Sequence, residues 1–409
     1  MSFIADLHIH SRYSRATSPQ MAPEVLWKWA QLKGIAVLGT GDFTHPAWTR
    51  ELGEKLAPAG NGLFQLKEEY KAGGVPDSCK KEVFFLLSAE ISCIYRKAGR
   101  TRKVHCLVFS PDSASACRIG AALSRVGSIA SDGRPILRLD AAALLEMVLD
   151  IEPAAMLVPA HAWTPHFSVF GAASGFDSLE ECFGDLAPHV HALETGLSSD
   201  PAMNRRVAAL DRLALISNSD AHSPAKIGRE ATVFETDVSY RGIAEAIRTG
   251  RGLAGTIEFF PEEGKYHYDG HRQCRVCCSP EEAIARGRRC PVCGGNLAMG
   301  VAHRVEALAD RSYRAGRDAA PPFRSVVPLA EVLSEVMASG AESRRVHEAY
   351  LKLLAGLGDE LGVLLEASPA DIAAAATPSV AEAISRVRQG RVRVSPGYDG
   401  RYGRITIGE

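Results

Sequence analysis

Between residues 1 and about 256, short β-rich apolar runs alternate with segments whose apolar positions recur every three or four residues. Residues 4–8, 36–40, 83–89, 104–109, 155–159, 190–193, 214–218 and 231–236 read as strands. Pro23–Lys33 reads as an amphipathic helix, with proline suited to its first turn and Gly34 to its stop. Tyr240–Thr249, closed by Gly250, has the same form. Strand–helix alternation over this length predicts a parallel barrel or an open α/β sheet.

Two inserts break the rhythm. Residues 44–80 are rich in Gly, Pro and Lys, and residues 163–189 set Trp163, Phe167, Phe170, Phe176 and Phe183 among Gly and Ser. An aromatic-rich loop after a strand end suits a lid or a base-stacking wall, or else packs on itself. Residues 257–300 form a Cys-rich module. Beyond it, residues 327–338, 346–357 and 380–388 read as helices, and residues 391–407 return to β-like alternation. The pattern divides the chain into a catalytic barrel (1–256), a small module (257–300) and a helical region with a β-like tail (301–409).

Composition adds limits. With 46% hydrophobic and 23% charged residues, 409 residues suffice for a large domain and smaller ones. No apolar run approaches the roughly 18 residues that span a bilayer, and the first ten residues do not read as a signal peptide. The expectation is a cytoplasmic, nucleoid-associated protein with no membrane partner. Residues 1–264 carry 27 Lys and Arg against 31 Asp and Glu, whereas residues 265–409 carry 20 against 17. A cation-holding N-terminal part and an anion-touching C-terminal part fit that asymmetry.

The strongest chemical signal is where ligand-type residues fall. His8 and His10 close the first strand, and residues two apart in a strand share a side. Asp42 follows the second, with His45 close by; Glu90 ends the third; His105 lies on the fourth. His161 ends the strand at 155–159, and Asp220 and His222 follow 214–218. Parallel barrels build active sites at such ends. Imidazole and carboxylate together suit Zn, Mn or Fe better than Mg or Ca. Ions bridged by a carboxylate would prime water and clamp attacking and leaving oxygens. Glu194 is read as holding other groups in place.

These motifs, Asp6-Leu7-His8-Ile9-His10-Ser11, Gly41-Asp42, Glu90, His105, His161 and Ser219-Asp220-Ala221-His222, resemble those of the PHP (polymerase and histidinol phosphatase) superfamily. The resemblance implies a distorted seven-stranded β/α barrel and two or three divalent ions (Zn, Mn, Fe or Mg). His8, His10, Glu90 and Asp220 would hold one ion and form the catalytic set. Glu90 would bridge to a second held by His105 and His161, and a third would use His222. The family has His directly after the motif-two Asp, whereas Phe43 stands here. A third ion would then need Asp42 or His45.

Of ten cysteines, Cys274, Cys277, Cys290 and Cys293 form two C-x2-C pairs. Two such pairs supply four thiolates to one structural zinc in a zinc-ribbon-like module; Cys278 is left over. Arg272, Arg275, Arg286, Arg288 and Arg289 flank the module, and Arg388, Arg391, Arg393, Arg401 and Arg404 crowd the tail, which suits phosphate contact. An acid-free stretch from Arg96 through Arg100 and Arg102 to Lys103 leads into the strand of His105.

Longer segments narrow the resemblance. Pro159–Pro165, Ser174–Phe183, Glu194–Asp200, the cysteine module and Pro396–Gly400 are similar to the endonuclease Q family over nearly the whole chain. That similarity implies a DNA repair endonuclease cutting 5′ to uracil, hypoxanthine, xanthine or an abasic site, leaving a 3′-hydroxyl and a 5′-phosphate. Trp163, Phe167, Phe170 and Phe176 would form the base pocket, Arg96, Arg100 and Arg102 would hold phosphates, and a sliding clamp is a candidate partner. A small-molecule phosphoesterase of the histidinol-phosphate phosphatase type is the alternative. A barrel without metals that only binds DNA is the other, against which the retained ligands argue.

Overall fold

The computed structural model describes residues 2–71 and 73–408; Met1, Ala72 and Glu409, within the expected barrel, first insert and tail, lie outside the described residues. Strands β1 (Ser2–Asp6) and β2 (Val37–Gly39) pair in parallel across helix α1 (Pro23–Lys33). The expected stop holds: Gly34 takes φ 87° and its N–H reaches the carbonyls of Ala30 and Gln31. Helix α2 (Pro46–Lys55) then leads into a small hairpin of β3 (Leu56–Pro58) and β4 (Phe64–Leu66).

The next strands depart from simple alternation. β5 (Phe84–Lys97) runs parallel to β2, but β6 (Arg100–Ser110) folds straight back on it with no helix between. Ala98 (φ 51°) and Gly99 (φ 75°) make a two-residue turn with both φ positive, the geometry that matches strand twist. Glu90 therefore does not end a strand; it sits within a 14-residue one, and the acid-free basic stretch is the tip of a hairpin arm. β7 (Ile136–Leu137) adds to β5, and β8 (Met156–Pro159) lies antiparallel to β6.

β9 (Ala192–Glu194) and β10 (Ala214–Ile216) pair in parallel as a separate sheet. The Ala162 N–H joins the end of β8 to the Glu194 carbonyl at 3.0 Å. Beyond β10, Ala221 bridges to Ile9 past β1. The strand order thus returns to β1 as an interrupted ring. β11 (Ala231–Glu235) and β12 (Leu253–Glu258) extend the sheet antiparallel outside β1.

Leu7, Val37, Leu86, Leu107, Val158, Ala192 and Ile216, from every part of the ring, share one buried cluster. This apolar plug forms the floor under the polar groups described next. A larger cluster packs the outer faces against helices. β13 (Asp269–His271) and β14 (Val276–Cys278) form the hairpin of the cysteine module. β15 (Phe323–Ser325) returns to the main sheet beside β12 before five helices between Leu329 and Arg388. The tail makes a hairpin of β16 (Arg393–Ser395) and β17 (Arg404–Thr406), as its alternation predicts. No helix among the described residues is long and apolar enough to cross a membrane.

Candidate metal centre

In β5 and β6 the side-chain period of two puts Glu90, Ser92, His105 and Leu107 on one face, since Ser92 pairs with His105 and Glu90 with Leu107. Leu107 belongs to the plug, so Glu90 and His105 project into the space above it. His8 and His10 follow β1, His161 follows β8, and Asp220 follows β10. Asp42 (φ 50°), His161 (φ 30°) and Asp220 (φ 46°) all have left-handed backbones, a strain that side-chain-bearing residues keep where surrounding structure imposes it.

Two ligand sets meet at Glu90. His8, His10, Glu90 and Asp220 bring four ligand atoms within 4.8 Å of one another, and so do Glu90, His105 and His161. On one side, His10 Nε2 lies 3.3 Å from Glu90 Oε2 and 3.1 Å from Asp220 Oδ1. On the other, Glu90 Oε1 lies 2.6 Å from His105 Nδ1 and 3.0 Å from His161 Nε2. His8, His10 and Glu90 are at most 1% exposed.

Their outer hydrogen bonds fix the inward-facing atoms. His8 donates its Nδ1–H to Glu194 at 3.0 Å and His10 donates its Nδ1–H to Asp42 at 3.1 Å, which turns each Nε2 inward as the ring atom that a cation would meet. Glu194 also accepts from the His161 N–H and from Asn218 Nδ2. His8 Nε2, His10 Nε2 and Asp220 Oδ1 are buried with no hydrogen-bond partner among the described residues. Orphaned atoms of this kind are costly and fit a cation here.

The electrostatics agree. Burial opposes charge on His8, yet Glu194, Asp220 and Glu90 outweigh it and push its pKa well above the ordinary value. Burial would raise Glu90, but His105, His8 and His10 hold it well below the usual carboxylate range. Burial takes His105 down to about 4. The centre is a nest of carboxylates that needs positive charge, and its two ligand sets fit divalent ions, which would supply it.

Other expected ligands fall outside these sets. Asp42 accepts from the Ser11 N–H (2.7 Å), Ser11 Oγ (2.6 Å) and Ser14 Oγ (2.8 Å) besides His10, so its oxygens are spent orienting that ring. His45 caps α2, accepting from the Trp48 N–H through Nδ1, while Nε2 faces the Ala130 carbonyl at 3.2 Å. Phe43 is core. His222 packs its ring 4.6 Å from His10 but joins neither ligand set. Among the described residues, Asp42, His45 and His222 form no third ligand group. Arg134, which carries no motif, is a residue the sequence left unnoticed: its Nη1 lies 3.1 Å from Glu90 Oε2.

The aromatic insert needs a correction. Trp163, Phe170 and Phe176 are at most 2% exposed. Trp163 stacks with Phe170 at 4.9 Å and donates Nε1–H to Asn204. Arg102 is buried too, over the Phe176 ring and donating to the Gly175 carbonyl. These groups hold the insert to the arm and leave no face free for a base. Phe167 alone of the four is partly exposed, 4.8 Å from His105 with Lys103 over its ring. Arg96 and Arg100 are exposed at the hairpin tip.

In the cysteine module, the grouped ligands are His271, Cys274, Cys290 and Cys293. Cys277 is not among them. It pairs with Gly270 while Val276 pairs with His271, so strand alternation turns it to the opposite face, toward the Pro396 carbonyl. His271-x2-Cys274 repeats the spacing of Cys290-x2-Cys293 and was visible in the sequence. Against burial that would raise it, the N–H groups of Cys293 and Val292 and the His271 ring bring Cys290 down to about 6, which favours thiolate.

Residues 202–251 match the family model described as PHP-associated, and residues 328–391 that described as the MJ0043 C-terminal domain. The lesion-specific endonuclease PfuEndoQ from Pyrococcus furiosus superposes with a TM-score of 0.86 at 33% identity, covering 100% of this chain and 96% of that one. An endonuclease Q bound to a 27-mer duplex substrate with an abasic lesion at the active site gives 0.85 at 32% identity, covering 100% and 97%. The uncharacterized protein YqxK of Bacillus subtilis is 29% identical over 98% of both chains. The uncharacterized protein MJ0043 of Methanocaldococcus jannaschii is 32% identical over 60% of this chain, which spans 31% of that relative's length.

Proposed function

Because the chain belongs to the endonuclease Q family, we propose that it is a metal-dependent DNA repair endonuclease that hydrolyses the phosphodiester 5′ to a deaminated base or an abasic site. The observation that carries this reading is Glu90, whose two oxygens face separate ligand sets above one apolar floor. His8, His10, Glu90 and Asp220 would hold one divalent ion, and Glu90, His105 and His161 a second. Such a pair lowers the pKa of water and neutralises charge building on phosphorus.

The chain's own groups set the geometry. Glu194 and Asp42 fix the two imidazoles through their Nδ1 protons, so neither ring turns when substrate arrives. Water adds to phosphorus and the P–O3′ bond breaks. The water oxygen stays on the 5′-phosphate of the lesion nucleotide, and the upstream O3′ leaves as a hydroxyl with a proton. A base beyond reach inside a duplex must be extruded, and Phe167, on the rim beside His105, offers the accessible ring to meet it. Arg96 and Arg100 would meet phosphates along the arm. One zinc would be held by His271, Cys274, Cys290 and Cys293, stabilising a module with a small apolar core. Residues 1–256 would then be catalytic, with 257–300 and 301–409 gripping duplex DNA in the nucleoid.

End-labelled duplexes carrying one uracil, hypoxanthine or abasic site, incubated with Mn or Mg, test this. The reading requires one cut 5′ to the lesion and a 3′-hydroxyl product. Turnover of histidinol phosphate with lesion duplexes left intact would instead establish the small-molecule phosphatase.

A further inference from the structure

Arg134 enters the centre from a loop pinned at several points. The Gly133 N–H donates to the Tyr13 carbonyl (3.0 Å), and the Arg15 N–H donates to Asp132 Oδ1 (3.1 Å). On the other side of Arg134, the Ser92 N–H donates to the Pro135 carbonyl (3.0 Å). His45, displaced from metal ligation, faces the Ala130 carbonyl of the same loop. Gly133 cannot carry a side chain: a Cβ there would lie 2.3 Å from Asp42 Oδ2 and 2.4 Å from Ser14 Oγ. The loop is thus pressed against the residues that the family pattern would give to a third ion. Its guanidinium sits 3.1 Å from Glu90 Oε2, with a quarter of the side chain exposed.

The guanidinium has no carboxylate within 4.0 Å other than Glu90 among the described residues. Once Glu90 serves two cations, its charge is satisfied by them, and an adjacent guanidinium gains more from a new anion than from that oxygen. A phosphodiester at the centre is such an anion, and its non-bridging oxygens suit the planar fork of arginine.

We propose that Arg134 is a catalytic residue that stands in for the third cation of the centre. It hydrogen-bonds a non-bridging oxygen of the scissile phosphate and neutralises the charge that grows there as water adds. The sequence substitutions fit together on this view. With Phe43 in the core and Asp42 and His45 committed to hydrogen bonds, the third positive charge is built into the chain. This inference rests on phosphoester hydrolysis at the centre proposed above.

The test uses full-length, manganese-loaded wild type, Arg134→Lys and Arg134→Ala. Metal content per chain should be the same in all three. Cutting by Arg134→Ala should fall roughly 100- to 1000-fold in kcat, as when one oxyanion donor is removed. Added guanidinium should restore part of that rate, and methylammonium less. Inorganic phosphate, titrated calorimetrically, should bind Arg134→Ala roughly ten-fold more weakly, the weight of one charge-assisted hydrogen bond. Wild-type turnover in Arg134→Ala, unchanged phosphate affinity, or loss of an ion with the arginine would each overturn the proposal. If the wild type cuts no lesion duplex while phosphate affinity and metal content behave as stated, the arginine role stands and the DNA reading fails.

Discussion

His10 donates its Nδ1–H to Asp42 Oδ1 across 3.1 Å, both side chains fully buried. A carboxylate in this position acts on a metal through the ring it orients. Asp42→Ala should therefore weaken binding of the first ion roughly 10- to 100-fold, the usual effect of removing such a partner. Titration of apo protein with manganese checks this. The second ion should keep its affinity, and a stoichiometry lower by one ion in saturating manganese would make Asp42 a ligand after all.

The cysteine module makes a sharper choice. Cys277→Ser should leave one zinc per chain, whereas His271→Ala or Cys274→Ser should lose it and loosen residues 265–300. Zinc quantification with proteolysis of the purified variants decides between the histidine and the fourth thiolate.

Within the aromatic insert, exposure separates two kinds of effect. Trp163→Ala and Phe170→Ala remove buried rings and should each cost about 3–5 kcal/mol of stability. Phe167→Ala should leave the melting temperature nearly unchanged while narrowing the difference in cutting rate between lesion and normal duplexes. Parallel thermal melts and cleavage assays read both.

Below the rim, Glu230 and Glu258 are fully buried. Burial raises both carboxyls well above the ordinary value; the Glu258 charge raises Glu230 further, and Asp200 raises Glu258. A folded pKa above the unfolded one gives stability that is complete below about pH 4.3. It is lost as pH climbs through the folded value. Glu230→Gln, whose Oε2 has no partner to lose among the described residues, should flatten the decline in melting temperature as pH rises above about 4.3.

Much of the centre was legible because its ligands fall at fixed places on short strands. His8, His10, His161 and Asp220 follow strands of five residues or fewer, as read, whereas Glu90 and His105 lie within long ones, and the expected strand end at Glu90 was wrong. The strand directions were less legible, since the Ala98–Gly99 turn is a two-residue signal inside a run read only as basic. Burial within the insert was hidden for a different reason. Whether Phe170 faces solvent or Trp163 depends on Asn204, which holds Trp163, and on Arg304, which donates to the Phe170 carbonyl from far along the chain. Arg134 left no local trace, because its role comes from a loop whose anchors lie at Tyr13, Arg15, His45 and Ser92.

Anomalous diffraction from crystals grown with manganese would test the central claim most directly. The account predicts two peaks sharing Glu90, one among His8, His10 and Asp220 and the other beside His105 and His161. Peaks absent from Glu90, or a single ion elsewhere, would contradict it.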